Sequence, residues 1–134
     1  MDVVRNMQKL IYGQLRGIDF GVDTGIYSYP PRGIDFPYIL ISMEESGTSQ
    51  NFGYEAVRVK TKIEVFDRSE NNARILEISD DIVASMESLR AIIFEDSRII
   101  GVFFDGNELK LHSEISPTWS NSLNFELAVE RISR

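Results

Sequence analysis

The chain has 134 residues, of which 43% are hydrophobic and 26% are charged, a composition that predicts one folded globular domain over residues 1–134. It has no cysteine and one histidine, which excludes disulfides, thiolate catalysis, and zinc sites built from cysteines or several histidines. The net charge of −7 argues against nucleic-acid binding through contacts with the phosphates. No apolar run approaches the roughly 18 residues that a membrane span needs.

The first predicted element is an amphipathic helix that begins near Asp2 and stops at Gly17. Residues 17–37 are rich in glycine and proline, which predicts irregular structure with a short extended piece at 26–28. The apolar residues of the helix recur at spacings of three and four positions, so they share one face. They are Val3, Val4, Met7, Leu10, Ile11 and Leu15.

Two strands are predicted next, separated by a polar segment. Residues 37–43 form a short apolar run, with Pro37 at the first strand position, where no ladder donor is needed. Residues 44–54 are polar and contain glycine, and the segment is longer than the roughly two to five residues usual in a hairpin. This segment therefore predicts a long loop of the kind that often carries function.

The second strand, predicted over 55–66, alternates between apolar and charged residues. Its outward positions hold a basic stripe, defined here as Arg58, Lys60 and Lys62. Three interpretations are open: a solvated face whose lysines prevent aggregation, a protein–protein contact, or a platform for nucleic acid. The negative charge of the whole chain stands against the third interpretation.

A second amphipathic helix is predicted from Ser69, as its N-cap, to about Arg90, because isoleucines recur along one face. Residues 91–94 fit either the end of this helix or a strand. The sequence Asp105–Gly106 predicts a tight turn between two strands. Three strands are therefore predicted in this last part of the chain, over 99–104, 108–115 and 121–132.

This order of elements predicts an α+β fold, in which two helices pack on one face of a largely antiparallel, roughly five-stranded sheet. No pattern predicts chemistry on it: His112 lacks a nucleophile motif nearby, and the acidic residues of the second helix fit a solvated face. We therefore expect no catalytic residue, no cofactor and no metal, and no enzymatic activity. Trp119, which follows Pro117, fits either the core or an interface anchor.

Several features in chain order carry a family resemblance. They are the extended Ile26–Ser28, the strand start Pro37–Leu40, the junction Val65–Ser69 that leads directly into a helix, and the final strand Phe125–Glu130. Together with the polar loop and the long alternating strand, this layout resembles the tail terminator proteins of long-tailed bacteriophages and gene transfer agents. These proteins are also called tail completion or tail-to-head joining proteins.

The resemblance implies a structural virion protein of bacteriophage type that assembles as a homo-oligomeric ring, usually a hexamer. Such a ring caps the finished tail tube and joins the tail to the head connector. The implied partners are copies of the chain itself, the tail tube protein and the head-completion or connector protein, with DNA only passing through the lumen. The implied location is the head-proximal end of the virion tail, after assembly in the host cytoplasm and without a membrane.

The family has no catalytic residues to carry over, so the predicted site is a protein interface. It combines the polar segment, the basic stripe and the tryptophan: Gly47, Thr48, Ser49, Gln50, Asn51, Phe52, Tyr54, Arg58, Lys60, Lys62 and Trp119. Two alternatives stay open. One is another phage neck or head-closure component, and the other is a small-ligand-binding α+β domain, which would need a concave pocket with convergent polar groups.

Overall fold

Two helices and six strands make up the computed structural model, which describes residues 3–30, 32–33, 35–49 and 56–132. The strands form one sheet in the order β1-β2-β3-β6-β5-β4, in which β1 and β2 are parallel and the other described pairs are antiparallel. The elements are α1 (Val3–Arg16), β1 (Gly25–Tyr27), β2 (Tyr38–Ser49), β3 (Ala56–Arg68), α2 (Ala73–Glu87), β4 (Ile93–Phe94), β5 (Ser97–Ser113) and β6 (Thr118–Arg131).

The α+β class is confirmed, and the description of the sheet is corrected. The sheet has six strands instead of about five, it is mixed through the parallel β1–β2 pair, and it curls into a half-barrel. Helix α1 ends at Arg16 as predicted, because its stripe of buried residues stops at Leu15 and Gly17 closes the last turn.

The two faces of the sheet differ sharply in burial. In β3 the side chains of Val59, Ile63 and Val65 are buried, whereas those of Arg58, Lys60 and Lys62, at alternate positions of the same strand, are exposed. The buried residues of both helices belong to the same core cluster as the buried residues of β2, β3, β5 and β6. We call the helix-covered face the inner face and the opposite one the outer face.

Helix α2 begins later and ends earlier than predicted. Ser69 is not its N-cap: the Ser69 amide donates to the Pro117 carbonyl at 3.0 Å, and the Ser69 carbonyl accepts from Trp119 Nε1 at 3.1 Å. These bonds tie the Ser69 backbone to the start of β6, so the helix starts at Ala73. At its other end, turns follow Glu87, and the ambiguous stretch 91–94 resolves into a turn and the short β4.

The predicted loop at 44–54 is wrong over its first half. Residues 44–49 continue β2, and they pair with β3 as far as Ser49↔Ala56. A register shift between Glu45 and Gly47 makes a bulge, and Gly47 takes a φ of 133° that a larger residue rarely adopts. Glu44 and Glu45 are exposed although they lie in a paired strand, so polar composition here does not indicate an absence of strand pairing.

The predicted turn at Asp105–Gly106 is also wrong, because β5 runs straight through it. Residues on both sides pair with the same partner strand, β6: Phe104 with Phe125, and Asn107 with Leu123. Asp105 and Gly106 lie opposite the single residue Asn124, so β5 has one extra residue there, and it forms a bulge in which Gly106 has a φ of 86°. An Asp-Gly pair serves a bulge as well as a hairpin, since both need a positive φ.

Candidate functional site

The outer face is the surface on which the sequence predicted the site. Strand register sets its side chains in rows that cross the sheet: Glu44, Lys60 and Glu126 form one row, and Ser42, Lys62 and Asn124 form the next. The alternation of β3 therefore does bring the basic stripe onto one solvent-facing surface. The carboxylates beside the stripe come from β2 and β6.

Ion pairs on this face are long or exposed. Arg58 Nε lies 3.6 Å from Glu126 Oε1, and Lys62 Nζ lies 3.6 Å from Glu64 Oε1. Ser122 Oγ donates to Glu64 at 3.3 Å, which holds that carboxylate against the sheet. Pairs of this kind contribute about 0–1 kcal/mol each to stability, so the charges are available for contacts outside the chain.

Positive and negative charges are evenly mixed across the outer face. Its cations are Arg58, Lys60, Lys62, Arg68, Arg98 and Lys110. Its carboxylates, including the one at the β5 bulge, are Glu44, Glu64, Asp105, Glu108, Glu126 and Glu130. The net charge of −7 therefore resides on other surfaces, among them α2, whose Glu77, Asp80, Asp81 and Glu87 are exposed.

An open concavity of about 420 Å³ lies over the middle of the outer face. Ligand pockets for small molecules are mostly apolar with a few polar groups, whereas this concavity is lined largely by charged and polar side chains. They include Ser42, Glu44, Lys60, Lys62, Asp105, Asn124 and Glu126. Among the described residues, no group of three or more His, Asp or Glu is placed to hold a metal ion.

Aromatic rings close one end of the outer face. Tyr38 stacks on Phe66 with ring centroids 4.8 Å apart, and Phe36 lies against Tyr38 at 5.4 Å. Arg68 lies over the Phe36 ring at 4.6 Å, a cation–π contact. Burial raises the pKa of the Tyr38 phenol, and the negative charge of Glu64 raises it further.

The raised pKa of Tyr38 predicts a loss of stability at alkaline pH. The fold favours the neutral phenol, so this contribution is complete below the unfolded pKa of about 10 and is lost as pH rises through the folded value. An ultraviolet absorbance titration should show a late-ionising component that the Tyr38→Phe variant lacks. Tyr29→Phe, at a residue 71% exposed, should retain that component. An identical curve for Tyr38→Phe and the parent chain would contradict the assignment.

The other predicted interface residues fall in three places. Gly47 is in the β2 bulge, and Thr48 and Ser49 are the last residues of β2, where their backbone pairs with β3. Gln50, Asn51, Phe52 and Tyr54 lie outside the described residues. For all of these residues and for the basic stripe, a role in an interface stays a prediction.

Trp119 lies in β6 instead of in the loop predicted before it. Its ring is half-buried against the core, and its indole nitrogen donates to the Ser69 carbonyl at 3.1 Å. The ring therefore links the end of β3 to the start of β6. Contact of this ring with another molecule stays a prediction.

Two sheet edges are features that the sequence did not reveal. In the described part of the chain, β1 pairs with Tyr38–Leu40, and no strand pairs with that side of β2 from Ile41 to Ser49. On the opposite side of the sheet, β4 pairs with Ser97 and Arg98, and no described strand continues that pairing along Phe103–Ser113. Which strands lie at the edges depends on which strands pair, and strand pairing cannot be predicted from a single sequence.

Some apolar side chains are exposed at and next to this unpaired edge of β5. Phe103 is 59% exposed, Leu111 is 42% exposed, and Ile115 in the turn after β5 is 99% exposed. A long strand edge with exposed apolar side chains is a surface on which another chain can pair. His112 lies on the same stretch, with Nε2 2.6 Å from Ser120 Oγ.

None of the described helices is long and apolar enough to cross a membrane. No protein-family model matches the chain, and no curated protein sequence matches it. Among solved structures, the chain is similar to one chain of "Virion of native gene transfer agent (GTA) particle". The TM-score is 0.79 at 16% sequence identity, and the match covers 96% of this chain and 97% of the other. The two chains therefore share a fold over almost their entire lengths.

Proposed function

We propose that this chain is a structural virion protein that forms a homo-oligomeric ring, most simply a hexamer, without enzymatic activity. The ring caps the finished tail tube and presents a surface to the head connector. The observation that carries the proposal is the fold shared with a chain of a gene transfer agent virion, which extends over 96% of the present chain.

The arrangement of the sheet supports assembly into a ring. Among the described residues, unpaired strand edges lie on both sides of one sheet, so one side can contact the other side of a second copy. Such a head-to-tail contact generates a closed ring when its rotation closes, and a filament when it does not. A protomer with only one unpaired edge could join just one other copy, and would form a dimer instead of a ring.

The outer face supports the proposed passage of DNA. In the proposed ring the outer face, which carries the open concavity, lines the lumen, and the helices lie on the outside. The outer face mixes cations with carboxylates, so it offers no continuous positive track that would hold phosphates. DNA would therefore slide past this surface without being retained.

Deleting the gene for this chain in its particle-forming host tests the cap function. The expected particles have overlong tubes, or tails that are not joined to heads, because nothing ends tube growth or contacts the connector. Electron microscopy of the particles gives the measurement. Supplying the parent chain should restore normal tails, and so should a variant on the exposed side of α2, Glu77→Gln.

Two outcomes would contradict the cap function. Normal tails joined to heads would show that the chain is dispensable for tail completion. Tails of normal length beside open heads would instead favour the alternative of a head-closure component.

A further inference from the structure

The free edges of β2 and β5 run in opposite directions. Strand β2 is antiparallel to β3, β3 to β6, and β6 to β5, so β2 and β5 are antiparallel to each other. Copies in a cyclic ring share one axial direction. The β5 edge of one copy therefore meets the β2 edge of the next copy as an antiparallel pair, the same arrangement that joins the strands within each copy.

Each of the two edges contains a stretch of regular register. In β5 bulges bound Asn107–Leu111, and in β2 the stretch Ile41–Glu45 lies between the end of the β1 pairing and the bulge. Residues opposite each other in a sheet point to the same face. Glu44 and Lys110 both point to the outer face, because Glu44 pairs with Lys60 and Lys110 pairs with Ser120. Any register that keeps the faces continuous must therefore place outer residues opposite outer residues.

Charge distinguishes two neighbouring registers that keep the faces continuous. Placing Glu44 opposite Glu108 would bring two carboxylates together, which destabilises a cross-strand pair. A shift by two residues places Glu44 opposite Lys110, and it also sets Met43 opposite Leu111 on the inner face. The exposed Leu111 side chain would then gain an apolar partner.

We propose that copies of this chain join by strand pairing between Met43–Glu45 of one copy and Leu109–Leu111 of the next, with Glu44 opposite Lys110. The four strands β2, β3, β6 and β5 of each copy then continue into one sheet around the ring. This inference rests on the proposed ring, and it specifies which surfaces build it. The occupant of each free edge is a second copy of the same chain.

Cross-linking of the full chain tests the contact cleanly, because the chain contains no cysteine. The double variant Glu44→Cys/Lys110→Cys is treated with an oxidant or a short bis-maleimide, and the products are separated by denaturing electrophoresis. Oligomeric state is measured in parallel by native mass spectrometry. We expect a ladder of dimers, trimers and higher oligomers, since each copy offers one cysteine at each side.

A matched control moves one cysteine to a different exposed surface. Glu44→Cys/Glu87→Cys should give no ladder, because Glu87 is exposed on α2 and not on either edge strand. Oligomers without the 44–110 link would overturn the edge contact while leaving the ring intact. A chain that stays monomeric and unlinked would also overturn it, because cross-linking traps brief encounters. Neither result decides the cap function, which the gene deletion tests separately.

Charge reversal gives a second, independent measurement. Glu44→Lys places two lysines opposite each other and should weaken association about tenfold, and Lys110→Glu should do the same. The double variant Glu44→Lys/Lys110→Glu restores opposite charges at every contact, so its association should return to the parent value. If the double variant associated even more weakly than either single variant, the proposed register would be overturned.

Discussion

Replacing Ile82 with alanine is expected to lower the free energy of unfolding by about 3.5 kcal/mol, the largest effect predicted for this chain. Ile82 lies on α2, is fully buried, and belongs to the core cluster that joins both helices to the inner face of the sheet. Truncation leaves a cavity that the surrounding strands cannot fill without moving. Urea denaturation followed by circular dichroism measures the loss.

The control for this prediction lies on the same helix. Leu76 is 37% exposed, so Leu76→Ala should cost less than about 1 kcal/mol through the smaller area removed from contact. Equal losses for the two variants would show that α2 does not pack against the sheet as described.

The second large effect concerns the ion pair that anchors the start of α2. Asp67, at the end of β3, is fully buried, and Arg74 Nε donates to its Oδ2 at 2.9 Å. A second guanidinium nitrogen donates to Oδ1, and these hydrogen bonds to the Asp67 carboxylate raise the pKa of Arg74. Arg74→Ala is expected to lower the free energy of unfolding by about 2–3 kcal/mol, because a buried carboxylate loses its counter-charge.

Two comparison variants separate this effect from ordinary surface electrostatics. Lys62→Ala removes an exposed pair with an N–O distance of 3.6 Å and should change the same free energy by about 0.5 kcal/mol or less. Asp67→Asn/Arg74→Ala should recover part of the loss, since a neutral amide is cheaper to leave buried than a carboxylate. If Arg74→Ala behaved like Lys62→Ala, the Asp67 carboxylate would have to reach water.

Elements formed by local sequence were predictable, and α1 is the clearest case. Its apolar stripe and the stop at Gly17 depend on residues three or four positions apart, and the helix ends at Arg16 as expected. The alternation of β3 was equally local, so the sequence correctly placed Arg58, Lys60 and Lys62 on one face. Neither result required knowledge of distant contacts.

The parts that were not predicted depend on pairing between distant segments. Asp105–Gly106 is compatible with a turn or a bulge, and only the shared partner β6 decides between them. Residues 44–49 become a strand because β3 pairs with them. The order of the strands in the sheet also decides which carboxylates lie beside the basic stripe and which strand edges stay unpaired.

The packing of the helices determines which surfaces are available for the proposed assembly. The core and the Asp67–Arg74 pair fix the helices on one face, which leaves the outer face and both sheet edges available for contacts. A protein that acts by shape needs rigid protomers, because small errors in the angle at each contact would prevent ring closure. Variants that weaken the packing of α2 against the sheet should therefore reduce ring assembly, because fewer protomers hold the rigid folded shape.

A cryo-electron microscopy map of purified particles that contain this chain tests the central claim most directly. We expect a closed ring of identical copies between the tail tube and the head, with helices outside and the outer face of the sheet towards the lumen. Particles in which the chain is absent, or present as isolated copies that form no ring, would contradict it.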